Sequence, residues 1–402
     1  MNSYFIEKRE EHIATLQKKG RKVVFAMIEA GGGHKSPALA VHEAVSRLFP
    51  GRYELMLLDF MRGTGCTKLD LKHKQSWDFL LEHPVLCRSG ELLTELTGPL
   101  FRFGLKYYLS PSYSHTYDFL IDQRPDLVFS THPFNTIALD QVRKKFGLSF
   151  TLINYLTELF DASALWILKD VDYFLVPTEE AKYRLLKRGI SEEKLGVFDF
   201  PIRNAFFQIR NGDSREIALK LGLDTDKKTL LMSLGGQGNG NLLTFIDMLI
   251  EERVPLNVIA CTGKNEDLKV RLEEEYGHTD SSVTLKVFGY TDRMHELMMA
   301  ADFCFIKPGP NTFIEAMVLQ KPMIFTRPVH QGEKANIQFA EQNQIGFSTG
   351  DSPGYFLEIV KILLEKRRYR DVKSNFRNIV IRNGAKDIAR FIASLMDDSH
   401  RM

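Results

Sequence analysis

The chain has 402 residues, 26% of them charged, with a net charge of +2. That length suits two domains, each burying its own core, and the even charge balance gives no support to a general nucleic-acid-binding role. No apolar run approaches the roughly 20 residues that span a bilayer.

The opening stretch MNSYFIEKREEHIATLQKKG is too charged for a secretory signal. Val23–Ile28 then reads as a buried strand, followed by Gly31, Gly32, Gly33 and His34 and a helical pattern through Ala38, Val41, Val45 and Leu48. Leu55–Leu58 is a second strand. Between Phe60 and Tyr117, Trp77, Phe79, Leu80, Phe101, Phe103, Tyr107 and Tyr108 are interleaved with Lys68, Lys72, Lys74, Arg88, Arg102 and Lys106. That mixture suits either an interfacial surface that draws on anionic lipids or the core of a first domain. Leu127–Ser130 leads into Thr131, His132 and Pro133, and Thr151–Tyr155 and Tyr173–Val176 are further strands. Polar residues and an Asn-Gly pair mark a linker near Pro201–Asp213.

The second half repeats the pattern. Thr229–Leu234 is an apolar run, residues 235–240 form a glycine-rich turn, and Leu242–Ile250 reads as helix. Strand, glycine loop and helix open a Rossmann-like unit, and finding them twice predicts two such domains facing each other. Asn257–Cys261, Thr284–Phe288, Asp302–Ile306 and Pro322–Phe325 are the remaining strands, so the fold is α/β with parallel sheets covered on both faces. The final helical stretch spans about Phe376 to Met396. Cys66, Cys87, Cys261 and Cys304 share no CxxC or metal-ligand spacing, and Cys261 and Cys304 lie in apolar runs as core residues, which predicts a reducing compartment without disulfides.

One segment carries chemistry of its own. In FIKPGPNTFIEAM (305–317), Pro308, Gly309 and Pro310 break a strand and Asn311 or Thr312 caps a helix. The exposed N–H groups at such a helix start bind anions. Glu315, in the first turn, suits the hydroxyls of a ribose or merely complements the dipole. Asp170 with Asp172, and Asp224 with Asp226, have metal-pair spacing but precede strands, the wrong end of a parallel sheet for a ligand; no metal site is expected.

Together, GGGHKSPALAV (31–41), VPTEEAKYRLLKRGISEEKLGVFDFPIRNAF (176–206), LMSLGGQGNG (231–240), CTGKNEDL (261–268), VFGYTDRMHELMMAADFCFIKPGPNTFIEAM (287–317) and QGEKAN (331–336) resemble glycosyltransferases of the GT-B type. The similarity is greatest to the family 28-like branch of monogalactosyldiacylglycerol synthases and processive diacylglycerol glucosyltransferases; the peptidoglycan N-acetylglucosaminyltransferase is more distant. The resemblance implies an acceptor-side Rossmann-like domain over 1–205 and a UDP-sugar-binding one over 206–375. A C-terminal helix over 376–402 would cross back to the first domain. It also implies an inverting, metal-independent transfer of a hexose from a UDP-sugar to a lipid-linked acceptor such as diacylglycerol. The enzyme would need no cofactor and would sit peripherally on the inner face of the cytoplasmic membrane.

By the same resemblance, donor contacts fall to Gly235, Gly236, Gly238, Gly309, Asn311, Thr312, Glu315, Gln331, Glu333 and Asn336. The acceptor-side loop holds Gly31, Gly32, Gly33 and His132, and the catalytic candidates are His34, Glu158 and Asp161. The family usually places an Asp after the strand that here reads TLINYLTEL. Tyr155 stands about there, so the carboxylate has moved to Glu158 or Asp161, the acceptor differs, or activity is lost. A sugar-nucleotide epimerase of the same fold and a non-catalytic nucleotide-sugar or lipid-binding protein are the alternative readings.

Overall fold

The computed structural model describes residues 21–29, 32–209, 213–235, 242–276 and 282–398. The first half builds β1 (Arg21–Met27), α1 (Lys35–Leu48), β2 (Tyr53–Asp59), α2 (Thr67–Glu82), α3 (Pro84–Leu109), β3 (Leu127–Ser130), α4 (Pro133–Phe146), β4 (Thr151–Tyr155), β5 (Tyr173–Val176) and β6 (Leu195–Val197). These strands form one parallel sheet in the order β2-β1-β3-β4-β5-β6. The second half supplies β7 (Lys228–Ser233), β8 (Leu256–Gly263), β9 (Val283–Gly289), β10 (Phe303–Ile306), α5 (Pro310–Val318), β11 (Met323–Phe325), α6 (Gln331–Gln342) and β12 (Gly346–Ser348). Its sheet, also parallel, runs β12-β11-β10-β7-β8-β9.

The strands read as continuous apolar runs because both sheet faces are covered. In β1, Val23 and Phe25 enter one buried cluster, Val24 and Ala26 the one on the opposite face. The order of each sheet also fixes where a ligand can enter. The chain lays β2 on one side of β1 and then crosses to β3 on the other; it does the same around β7, with β8 on one side and β10 on the other. Each reversal opens a crevice at the carboxyl ends of its central strands. The loops leaving β1, β3, β7 and β10 therefore converge.

The chain passes between the halves twice, and the two passages are laced together. Asn383 donates from Nδ2 to Ile202 O at 2.8 Å and accepts from Ile202 N at 3.1 Å. A Cβ on Gly384 would lie 1.6 Å from the Asp199 carbonyl oxygen, so only glycine fits there. The last helix, α7 (Ala385–Asp398), then packs on α1 of the first half. It buries Ala385, Ile388, Ala389, Ile392, Ala393 and Met396, a stripe at helical spacing. Each large aliphatic side chain so buried contributes about 1.5–3 kcal/mol.

Candidate active site

The two crevices open into one cavity of about 1100 Å³ between the halves. Its donor-side wall is the turn from β10 into α5. Pro310 opens the helix and has no N–H, so the N–H groups of Asn311 and Thr312 precede any intrahelical acceptor and bring the positive end of the helix dipole to the cavity they line. Asn311 crosses the cleft, donating from Nδ2 to Gly32 O at 2.6 Å. Gly235, with φ 107°, and Gly309 line the same wall. Gly236 and Gly238 lie outside the described residues.

Glu315 lies one turn further along α5, buried yet still on the cavity lining. Burial pushes its carboxyl up to about 8, and Arg203 only partly opposes that. An acid held this far from its ordinary range in a cleft makes Glu315 a candidate ligand contact.

The residues of α6 differ from their sequence reading. Gln331 is exposed and is not among the cavity-lining residues; its backbone N–H points to Glu91. Asn336 is buried and donates to Pro308 O at 2.9 Å, so it fixes the turn before α5 rather than facing a ligand. Glu333 reaches the cavity wall but is already bound, to Val329 N at 2.7 Å and Lys307 Nζ at 3.2 Å. Burial raises its pKa, but Lys307, His330 and the Val329 N–H outweigh that and hold it below the ordinary range. The QGEKAN segment thus acts largely by holding Lys307 and Pro308 in place.

Across the cavity, His34 follows the Gly32–Gly33 loop; Gly31 lies outside the described residues. Its Nδ1 lies 2.5 Å from Thr131 O, and Thr131 Oγ1 donates back to His34 O at 2.8 Å. A carbonyl only accepts, so Nδ1 carries the proton and Nε2 keeps its lone pair. Burial, with His73 and His330 nearby, lowers the His34 pKa to about 4 and keeps the ring neutral. His132 also lines the cavity, with its Nδ1 accepting Phe134 N at 3.1 Å, an N-cap for α4. His34 and His132 meet edge to face with ring centroids 4.4 Å apart, and His73 of α2 closes on His132 at 5.5 Å.

Tyr155 is not where a catalytic carboxylate would stand. Its side chain is fully buried in the core between Phe129 and Phe200, away from the cavity. Glu158 and Asp161, further along the same loop, do line the cavity. Asp161 is paired with Arg184 at 3.4 Å. Among the described residues Glu158 Oε2 is buried and accepts no hydrogen bond, and it fills the space that a Cβ on Gly332 of α6 would take; burial, reinforced by Glu333, Asp161 and Glu91, raises its pKa. Asp170 and Asp172, with metal-pair spacing, instead bind Lys144 and Arg143.

The sequence reading missed His73, Glu91 and Lys307. Lys307 had a signal, lying inside the FIKPGP motif; His73 and Glu91 sit on helices whose packing no local pattern reveals.

The three buried imidazoles have a measurable consequence. Burial lowers His34 and His73 to about 4 and His132 well below its ordinary value. Between pH 6.5 and 4 the unfolded chain therefore binds protons that the native state refuses, and stability falls as pH falls through that window. Thermal denaturation should show this decline, and it should be shallower in His73→Leu; an identical pH dependence in the variant would remove His73 from the effect.

Residues 106–202 match the Monogalactosyldiacylglycerol (MGDG) synthase family, and residues 240–345 match the Glycosyltransferase family 28 C-terminal domain. The chain is 30% identical over 280 residues to a processive diacylglycerol beta-glucosyltransferase of Bacillus cereus, covering 69% of each protein. It is 25% identical over 354 residues to a probable chloroplastic monogalactosyldiacylglycerol synthase of Glycine max, covering 82% of this chain and 62% of that one. Among solved structures, MurG of Acinetobacter baumannii superposes with a TM-score of 0.59 at 12% identity, over 94% of this chain and all of that one. MnaA of S. aureus, solved with UDP, gives 0.61 at 15% identity, over 95% and 97%. These two establish the GT-B fold alone. By its sequence, the chain belongs to the glycosyltransferase family that unites the processive diacylglycerol glucosyltransferases with the MGDG synthases.

Proposed function

We propose that this hexosyltransferase moves a hexose from a UDP-sugar onto a lipid hydroxyl such as that of diacylglycerol, with inversion and without a metal ion. The observation that carries the reading is the meeting of two loops across one cavity. The N-terminus of α5 touches Gly32 through Asn311, two residues from a histidine with its Nε2 lone pair free. In the reaction, the acceptor oxygen attacks C1 of the hexose while His34 Nε2 removes its proton. The C1–O bond to the diphosphate breaks, and the electron pair leaves with UDP. The N–H groups of Asn311 and Thr312 take up the new charge, in place of a cation. Glu315 accepts the ribose hydroxyls. A single displacement turns an α-linked UDP-hexose into a β-glycoside, which agrees with the beta-glucosyl activity named for the Bacillus cereus relative.

The lipid enters from the α2–α3 side. Trp77, Leu80, Leu93 and Phe101 line the cavity as an apolar arm, so part of the aromatic segment serves the interior. Another part faces outward: Val85, Leu92, Leu96, Phe103 and Tyr107 of α3 are exposed and lie outside the cavity lining, Leu96 exposed by 75% and Tyr107 by 80%. The helix bends at Gly98 (φ 25°, ψ −89°), and on each side of the bend the exposed residues share one face. No helix among the described residues is long and apolar enough to cross a membrane. A helix bearing such a stripe lies in the interface instead, here at the inner face of the cytoplasmic membrane.

The test is transfer of labelled hexose from UDP-glucose or UDP-galactose to vesicles of phosphatidylglycerol and dioleoylglycerol, with the product identified by mass spectrometry. A glycosylated diacylglycerol is expected. Leu92→Glu with Leu96→Glu should lower vesicle co-sedimentation by about tenfold or more, since each leucine entering the bilayer contributes about 1.5–3 kcal/mol. Epimer formation from UDP-GlcNAc without any lipid product would sink the reading.

A further inference from the structure

The face of α3 beside its apolar stripe reaches the donor half. Arg88 donates from Nη2 to Pro328 O at 2.9 Å, and the Glu91 carboxylate accepts the Gln331 N–H at 3.2 and 3.4 Å. Glu95, one turn on, binds back within its own half, to Ala164 N and Arg188. Glu91 is thus an acceptor-domain residue seated at the first N–H of α6, on the lining of the shared cavity.

Its surroundings do not satisfy it. Among the described residues no ion pair joins Glu91 to a cation, and its oxygens share a single backbone N–H. Beside it, Glu158 Oε2 faces Gly332 of the same helix turn and accepts nothing. Burial holds both acids above the ordinary carboxylate range. Gathering under-bonded carboxyl groups in a cleft costs stability, and it is accounted for when a ligand brings the missing hydrogens. A hexose supplies them as neighbouring hydroxyls. Such a sugar, attached to a diphosphate at the N-terminus of α5, extends toward α6, because Asn336 and Glu333 tie the turn before α5 to the first turns of α6.

We propose that Glu91 is a specificity-determining residue for the donor hexose, lent by the acceptor domain, with its carboxylate accepting hydroxyls of the sugar at the N-terminus of α6. The hexose, unlike the nucleotide, is then read by both halves at once. This inference rests on the UDP-sugar reading above.

Calorimetry of the full chain with UDP and with UDP-glucose or UDP-galactose separates the two ideas. In Glu91→Ala, the affinity for the matching UDP-hexose should fall about tenfold, while that for UDP stays within about twofold. Glu91→Gln, which keeps one acceptor oxygen, should recover part of the loss. Unchanged UDP affinity also reports that the variants are folded, and Arg88 still holds α3 to the donor half in them. UDP and UDP-hexose weakening together would make Glu91 a clamp between domains and overturn the proposal, as would no change in either. Wild-type protein that binds no UDP would overturn the donor reading and this inference with it.

Discussion

Replacing His34 by alanine should lower kcat for hexose transfer by about 10²–10⁴-fold, the range for a positioned general base, with UDP affinity little altered. The expectation comes from the Thr131 carbonyl, which fixes the proton on Nδ1 and leaves Nε2 as the basic atom. Because the ring titrates at about 4 rather than 6.5, it is already the free base at pH 5. The kcat of the wild type should therefore hold level from about pH 5 to 8, without the fall near 6.5 that an ordinary histidine imposes. A fall centred at 6.5, or a His34→Ala enzyme with near-normal kcat, would assign the base elsewhere. Glu158 would then be the next residue to test.

Glu315 should show a conflict between stability and binding. Glu315→Ala is expected to weaken UDP binding by about 1–3 kcal/mol, the cost of leaving ligand hydroxyls unpaired in a buried site. Unchanged calorimetric affinity would remove Glu315 from the site. Glu315→Gln should also weaken UDP, yet raise the melting temperature of the ligand-free protein. The sign follows from the raised pKa. Between pH 4.5 and about 8 the native state holds a proton that the unfolded chain has released, so this group erodes stability as pH rises. Glutamine has nothing to titrate. The advantage of Glu315→Gln should accordingly be small at pH 4.5 and greatest near pH 8; a constant difference would mean that its carboxyl is not perturbed in the native state.

Most of the fold was legible because buried parallel strands carry an unbroken apolar signal. Leu127–Ser130, Thr151–Tyr155 and Tyr173–Val176 have the ends read from the sequence. The strands β6 and β12 were not read at all. Each has three residues at a sheet edge, where a neighbouring strand rather than the residues themselves creates the element. Of the site, the Pro308–Thr312 turn and the loop leading to His34 were legible, since proline and glycine mark their own geometry. The contribution of α6 was not. Nothing in QGEKAN distinguishes an Asn aimed at a sugar from one tied to the Pro308 carbonyl. Tyr155 shows the same limit: one position along a strand separates the core from the cleft, and only the assembled sheet reveals which side a residue takes.

The paired passage between the halves bears on how such a cleft opens. A single strand would act as a tether, allowing swivel and separation in any direction. Here residues 200–202 run beside 383–384, joined by the Asn383 amide, with Gly384 against the backbone of Asp199. Two strands fixed side by side resist twisting and leave one easy axis, as two pins do on a door. A swing about that axis is expected to part the Asn311–Gly32 contact and the α3–α6 contact together.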